Sequence, residues 1–312
     1  MAQPQTVAQA AKGLATLFKA GMSTGHEQLL IITKTIMPLI ATPLLEQMGL
    51  GEGTAQPFAL LDGACGSGVV TQEVQRMVPR AVLEGSSIVA SDSSEALVDL
   101  MRTRVEAEGW VNTEVNVLDA MDTKLPENAF SHVAIGLALH LIPKPDDVLK
   151  GKFETTMYYC RRILKPGGIF GATTFNDSVE EKRFWQPDMR AAFKSLPFEA
   201  PFPDQLPMQT HTSGNWASRD WVEEHLRSQE GFRNVEVRLV PGTYRLQSGD
   251  EFVTAFGMMI SWVMNSWWSE EQRAAHPLEE VKELVEKYLD EKYGGKGWDI
   301  DWEVLCMTAA VE

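Results

Sequence analysis

The segment Asp62-Gly63-Ala64-Cys65-Gly66-Ser67-Gly68 follows a short apolar run and precedes a helical pattern. Glycines at such a strand-to-helix turn let a ligand approach the backbone N–H groups closely. The dinucleotide fingerprint Gly-x-Gly-x-x-Gly is not met, because the third position counted on from Gly66 and Gly68 is Thr71, and this disfavours nicotinamide chemistry. Two further carboxylates, Asp92 and Asp119, stand at the ends of later apolar runs. Taken singly, each of the three aspartates could be a helix cap or turn residue. Cys65 lies inside the glycine turn without a base near it in sequence and reads as a packing residue. The six histidines show neither His-x-x-x-His nor Glu-x-x-His spacing, so no metal site is expected. His140 follows the fourth apolar run and His211 sits in the polar loop 209–215, and either could act as a general base.

These residues need a scaffold that brings strand ends together. Apolar runs at 58–61, 88–91, 114–118, 132–136 and 169–174 alternate with helical patterns, which predicts stacked βαβ units and a right-handed, doubly wound parallel sheet. The clearest helix spans 95–108, with Leu97, Leu100, Met101 and Val105 on one face and Gly109 as its stop. Residues 1–55 read as a helical cap, broken at Pro38 and Pro43. Residues 56–175 form the α/β core. Residues 176–312 supply a proline-rich loop zone, a helix capped by Ser218 and ended by Gly231, and a strand at 235–240. They end with a helix starting at Pro277 and a last strand at 303–309. Trp262, Trp267 and Trp268 with Met258, Met259 and Met264 read first as core, and otherwise as the lining of a pocket for an apolar ligand.

Composition excludes other classes. The chain has 312 residues, 44% hydrophobic and 23% charged, which suits a folded globular protein. Lys plus Arg number 28 against 43 Asp plus Glu, a formal charge of -15 that repels nucleic-acid phosphates. Cys65, Cys160 and Cys306 are widely spaced, so free thiols in a reducing compartment are expected. No basic-then-apolar leader opens the chain, and the most apolar stretch, 256–268, is too short for a bilayer of roughly 30 Å. The expectation is a soluble, cytoplasmic protein with no nucleic-acid or membrane partner.

Taken in order, the aspartates and glycines resemble the class I S-adenosylmethionine-dependent methyltransferases. That family has an acidic residue and alternating glycines after the first strand, met here by Asp62, Gly63, Ala64, Gly66 and Gly68, with Ala64 where the first glycine is usual. The resemblance implies that Asp92, with Ser93, holds the ribose hydroxyls and that Asp119, Ala120 and Met121 hold the adenine amino group. It places Leu137 beside the cofactor after the fourth strand. Arg162 to Gly168 matches the family's turn into strand five, while Phe130-Ser131 departs from the common Phe-Asp. The implied fold is a Rossmann-like, doubly wound seven-stranded sheet with a helical N-terminal cap and helical insertions near the C-terminus. The implied activity moves a methyl from S-adenosylmethionine to O, N or S of a small organic acceptor, leaving S-adenosylhomocysteine, most similar to fungal natural-product enzymes. Two alternatives stay open: a regulatory binding partner on this fold, and a cofactor-assisted cyclase or lyase. The helices before the core and segment 252–268 are expected to cover the substrate side. A histidine base would make the rate rise with pH through the histidine range.

Overall fold

The computed structural model describes residues 9–11, 13, 26–150, 162–176 and 183–312. Its strands are β1 (Ala59–Gly63), β2 (Ser87–Asp92), β3 (Thr113–Val117), β4 (Phe130–Ile135), β5 (Leu164–Phe175), β6 (Phe232–Leu246) and β7 (Trp298–Val311). They form one sheet in the order β3-β2-β1-β4-β5-β7-β6. β1 to β5 run parallel and β7 runs antiparallel to β5, so the doubly wound parallel sheet expected from the apolar runs is present, with the seven strands that the resemblance implies. Around it lie α1 (His26–Thr35), α2 (Pro38–Gln47), α3 (Val69–Met77), α4 (Arg80–Leu83), α5 (Glu95–Glu108) and α6 (Pro145–Lys150). The later helices are α7 (Gln186–Ser195), α8 (Arg219–Arg227), α9 (Gly249–Trp267), α10 (Glu270–Ala275) and α11 (Leu278–Tyr293).

Local sequence explains most boundaries. α5 buries Leu97, Val98 and Met101 and ends where Gly109 turns left-handed at φ 65°. α8 starts at Ser218, whose hydroxyl accepts the Trp221 N–H, and α10 has a capping box of Ser269 and Gln272. Pro277 caps α11 from just outside and Gly294 closes it at φ 62°. The N-terminal helical pattern does break before Pro38, where α1 and α2 meet at a bend of 50°. Pro43, however, sits inside α2. Pro43 removes the N–H that would bond the Leu39 carbonyl, and Leu39 lies on the exposed side of the helix, 46% exposed. Among the described residues no single helix is long and apolar enough to cross a membrane.

Three strands are longer than their apolar runs. β5 begins at Leu164, not at 169, because Leu164 pairs with Phe130 before residues 165–168 loop out and pairing resumes at His132↔Ile169. Lys-Pro-Gly-Gly thus forms a bulge within the strand. β6 runs through Pro241, which is tolerated because β6 is the outer edge of the sheet and needs no N–H there. β7 starts five residues before the expected 303, at Trp298.

The chain divides into two compact units. The first comprises Ile32–Asn176, His211–Val240 and Val304–Glu312. Its core lies around β4 and β5, where Val133, Ile135, Phe170 and Ala172 meet Trp216, Leu226, Leu305 and Met307. α2 packs against α3 and β5, with Met48 fully buried against the backbone of Gly171. The second comprises Met1–Ile31, Asp177–Thr210 and Pro241–Glu303. In it α9 packs on α11, and the buried Asp188 carboxylate accepts bonds from Lys292 Nζ (2.8 Å), Tyr293 Oη (2.6 Å) and Trp298 Nε1 (2.7 Å). Trp262, Met259, Met264 and Trp268 are buried there, as the core reading expected, and Trp262 Nε1 donates to the Ala10 carbonyl at 3.0 Å. Cys65 and Cys306 are buried free thiols, and Cys160 lies outside the described residues.

A methyl group on Gly171 would overlap the Met48 side chain, so Gly171→Ala should destabilise the fold by about 1–3 kcal/mol. Met48→Ala in the same chain should recover part of that loss in denaturant unfolding. Strictly additive single and double variants would show that the two residues do not compete for space.

Candidate active site

β1 has β2 on one side and β4 on the other, so the chain reverses direction across the sheet between β1 and β4. Ligand crevices of open α/β sheets form at such a switch point, beyond the carboxyl ends of the strands. The carboxyl ends are aligned: Gly63 pairs with Ser91, and Asp62 pairs with Ala134. Asp62, Gly63, Asp92, Asp119 and Leu137 therefore come from the same ends of four neighbouring strands.

The glycine turn is bent by backbone conformations that side chains resist. Gly66 has φ 57°, Gly68 has φ 87° where it caps α3, and Ala64 adopts φ 50° although it carries a Cβ. A Cβ on Gly63 would meet Ile135 Cδ1 at 2.7 Å, and one on Gly68 would overlap Met101. Around Gly66, by contrast, such an atom would meet nothing within 4 Å, which leaves the turn open. The turn is fastened from both sides: Cys65 N donates to the Ser91 carbonyl at 2.9 Å and Gly66 N to Asp92 Oδ2 at 3.0 Å. Asp62 Oδ2 accepts from Thr71 N (3.1 Å) and Thr71 Oγ1 (2.7 Å), so the residue that spoils the dinucleotide fingerprint anchors the first aspartate.

The carboxylates differ in environment. Asp62 is buried and its Oδ1 has no hydrogen-bond partner within the protein; burial pushes its carboxyl up to about 7. Asp92 is also raised by burial, against N–H bonds from Ser94 (2.9 Å) and Gly66. Its two oxygens offer about four acceptor positions, so these bonds leave room for two hydroxyls. Asp119 is exposed, and its Oδ1 accepts the Met121 N–H at 2.9 Å, an Asx turn that sets Ala120 and Met121. Ser93 is exposed next to Asp92. Leu137 has φ 49°, and its N–H is held by Thr173 Oγ1 at 2.9 Å.

The two histidines are neighbours with different surroundings. His140 is buried after β4, in edge contact with Phe175, and burial followed by the nearby His211 pushes its imidazole down to about 4. It is neutral across the ordinary histidine range, so the expected pH rise moves down to about pH 4. His211 Nε2 donates to the Leu139 carbonyl at 2.9 Å while its Nδ1 accepts the Ser213 N–H at 3.2 Å. With both nitrogens engaged in the protein it is not placed as a base.

Sequence reasoning missed the polar support beneath the turn. Arg104 is 3% exposed, donates to the Ser67 carbonyl at 2.5 Å and to Gln72 Oε1, pairs with Glu108 and lies 4.8 Å over the Trp110 ring. The signal was present: Arg104 continues the buried stripe of Leu97 and Met101 on α5. Thr33 of α1 meets Ser67 Oγ at 2.5 Å. Among the described residues no group of His, Cys, Asp and Glu is placed to hold a metal.

Residues 60–168 match a family described as "Methyltransferase domain", which spans the glycine turn, Asp92, Asp119 and Leu137. Residues 60–168 are thus a methyltransferase domain, and the chain is an S-adenosylmethionine-dependent methyltransferase. Over most of its length this methyltransferase is similar to "Methyltransferase tpcH" of Aspergillus fumigatus, at 26% identity over 84% of this chain and 87% of the relative. It is 28% identical to acetylaranotin bis-thiomethyltransferase of Aspergillus terreus, over 85% and 87%. Phosphoethanolamine N-methyltransferase 2 of Haemonchus contortus matches at a TM-score of 0.48 and 15% identity, covering 87% of this chain and 52% of that one. The cofactor is S-adenosylmethionine. The open space at Gly66, the unpartnered Asp62 Oδ1 and the spare acceptor positions of Asp92 fit a nucleoside that carries a positively charged amino-acid tail.

Burial acts on stability with opposite signs here. Asp62, raised to about 7, contributes stability that is present below about 3.8 and lost as pH rises through about 7. His132 and His140, each lowered to about 4, contribute stability that is present above about 6.5 and lost as pH falls through about 4. Asp62→Asn removes the first effect and leaves the second. The unliganded variant should therefore lose melting temperature more steeply than wild type on going from pH 7 to pH 4; parallel curves would contradict the raised carboxyl.

Proposed function

We propose that the protein transfers the methyl of S-adenosylmethionine to an oxygen, nitrogen or sulfur of a small organic acceptor of secondary metabolism. The observation that carries this reading is the joint placement of the glycine turn, Asp92, Asp119 and Leu137 along one sheet edge at the switch point. When bound, the cofactor supplies an electrophilic methyl on a sulfonium. Asp92 would hold the ribose hydroxyls through its spare acceptor positions, Asp119 to Met121 would face adenine, and Gly63, Ala64, Gly66 and Gly68 would keep the turn close to the ligand. Support for the acceptor class comes from the Aspergillus terreus relative, whose name specifies thiomethylation of acetylaranotin, and from the net charge of -15, which disfavours nucleic acid.

In-line attack needs alignment more than proton transfer, so a thiolate or amine would react by positioning alone. For a hydroxyl acceptor, neutral His140 is the candidate base, at the low end of the roughly 10²- to 10⁴-fold range because burial weakens its basicity. His140→Ala should lower turnover of such an acceptor with little change in cofactor affinity, and the wild-type rate should stay flat from pH 5 to 8 because the ring is already neutral. A rate that climbs through pH 6 to 7 would point to another group.

Asp92→Ala removes charge-assisted bonds of about 1.5–3 kcal/mol each and should weaken S-adenosylmethionine binding tenfold or more. Asp119→Ala, at an exposed position, should weaken it less. Titration calorimetry measures both, and equal affinity in a folded Asp92→Ala protein would defeat the assignment. Mass spectrometry of small thiols, phenols and amines incubated with methyl-labelled cofactor tests the acceptor class.

A further inference from the structure

The loop that leaves β4 has to hold Leu137 in a left-handed conformation, φ 49°, and carry His140 three residues later. A leucine does not rest in that region unaided, so something must fix it. The fixing groups form a closed circuit. Leu137 N donates to Thr173 Oγ1 at 2.9 Å, and the next residue of β5, Thr174, donates its hydroxyl to the Trp216 carbonyl at 2.7 Å. Trp216 Nε1 donates to the Ser213 carbonyl at 2.9 Å, and Ser213 N donates to His211 Nδ1 at 3.2 Å. His211 Nε2 then donates to the Leu139 carbonyl at 2.9 Å, two residues from the starting point.

Every bond in the circuit is local to one compact unit. Thr173 is 1% exposed, and Thr174, Trp216 and Leu139 are fully buried. Adjacent strand residues point to opposite faces of the sheet, so Thr173 and Thr174 grip two different segments from the same strand end. Valine would fill either position with the same shape, and a buried hydroxyl is retained at a desolvation cost only where it makes a bond. The partners also settle the tautomer of His211: a carbonyl at Nε2 requires the proton there, and an N–H at Nδ1 requires the lone pair there.

We propose that Thr173, Thr174 and His211 are positioning residues that hold the loop after β4 in the shape the cofactor and acceptor need. Thr173 acts on the cofactor side through Leu137. His211 acts through Leu139 on the segment bearing His140, as a brace and not as a base. This inference rests on the methyltransferase reading for its ligand, while the loop geometry it describes is independent of any ligand.

The test uses S-adenosylhomocysteine as the probe, with hydrogen exchange of peptides spanning 136–142. Thr173→Val should weaken S-adenosylhomocysteine on the order of tenfold, because the Leu137 N–H loses its buried partner, and should speed exchange of that peptide. Thr173→Ser should restore both. His211→Ala should speed exchange at 138–142 without any ligand, whereas His211→Gln, whose side-chain amide can still donate to the Leu139 carbonyl, should keep it slow. A pure base at 211 predicts unchanged exchange in both variants. Affinity within twofold of wild type in Thr173→Val, or equal exchange in the two His211 variants, overturns the proposal. Should Thr173→Val fail to fold, the Ser variant and the His211 pair still decide it. Failure of the wild-type protein to bind S-adenosylhomocysteine would defeat the cofactor reading, and the ligand-free exchange would still judge the brace.

Discussion

Asp62 and Asp92 stand at the ends of two adjacent parallel strands, both largely removed from water, and peptide N–H groups must replace their hydration. That requirement shapes what surrounds them. Gly66 turns left-handed and presents its N–H to Asp92, and α3 brings Thr71 back over Asp62 with its N–H and its hydroxyl. The turn cannot relax without uncovering a carboxylate, which is why even Ala64 is kept at φ 50°. The solvation is incomplete: Asp62 Oδ1 has no partner within the protein, Asp92 keeps spare acceptor positions, and the space beside Gly66 is open. A cationic ligand is the natural complement of such a surface.

Beneath the turn lies a second layer of charge. Arg104 is the cation buried under it, and it reaches a carbonyl of the turn, a glutamine of α3 and a glutamate of its own helix at once. Its guanidinium suits this place because a planar fork can satisfy several acceptors and still stack on Trp110. Thr33 brings α1 to the same spot. The glycine turn is thereby tied to elements before and after it in the chain.

The sheet and the acidic landmarks could be read from sequence because both are local patterns: alternating apolar runs mark the strands, and each aspartate directly follows one. Pro43 misled because a helix can tolerate a proline on its exposed side, where one backbone bond fewer costs less than in the core. The start of β5 was hidden because Lys-Pro-Gly-Gly reads as a turn, and only pairing with Phe130 reveals a bulge. His211 shows the harder limit. Its ring nitrogens are assigned by a carbonyl 72 residues away, a distance in sequence over which no spacing rule operates. Thr173 is silent for the same reason, since its partner Leu137 belongs to the neighbouring strand's exit loop.

The outer strand β6 is fifteen residues long and, among the described residues, has a strand neighbour only on its β7 side. A free edge of that length is a template for strand addition, the first step toward stacking copies into fibres. Here Pro241 interrupts the row of donors, and Arg233, Glu236, Arg238 and Arg245 stand exposed along the same strand. An approaching copy would have to bring its own arginines against these and would find a missing N–H midway. The proline that the sheet tolerates at its border thus also makes that border a poor template for strand addition.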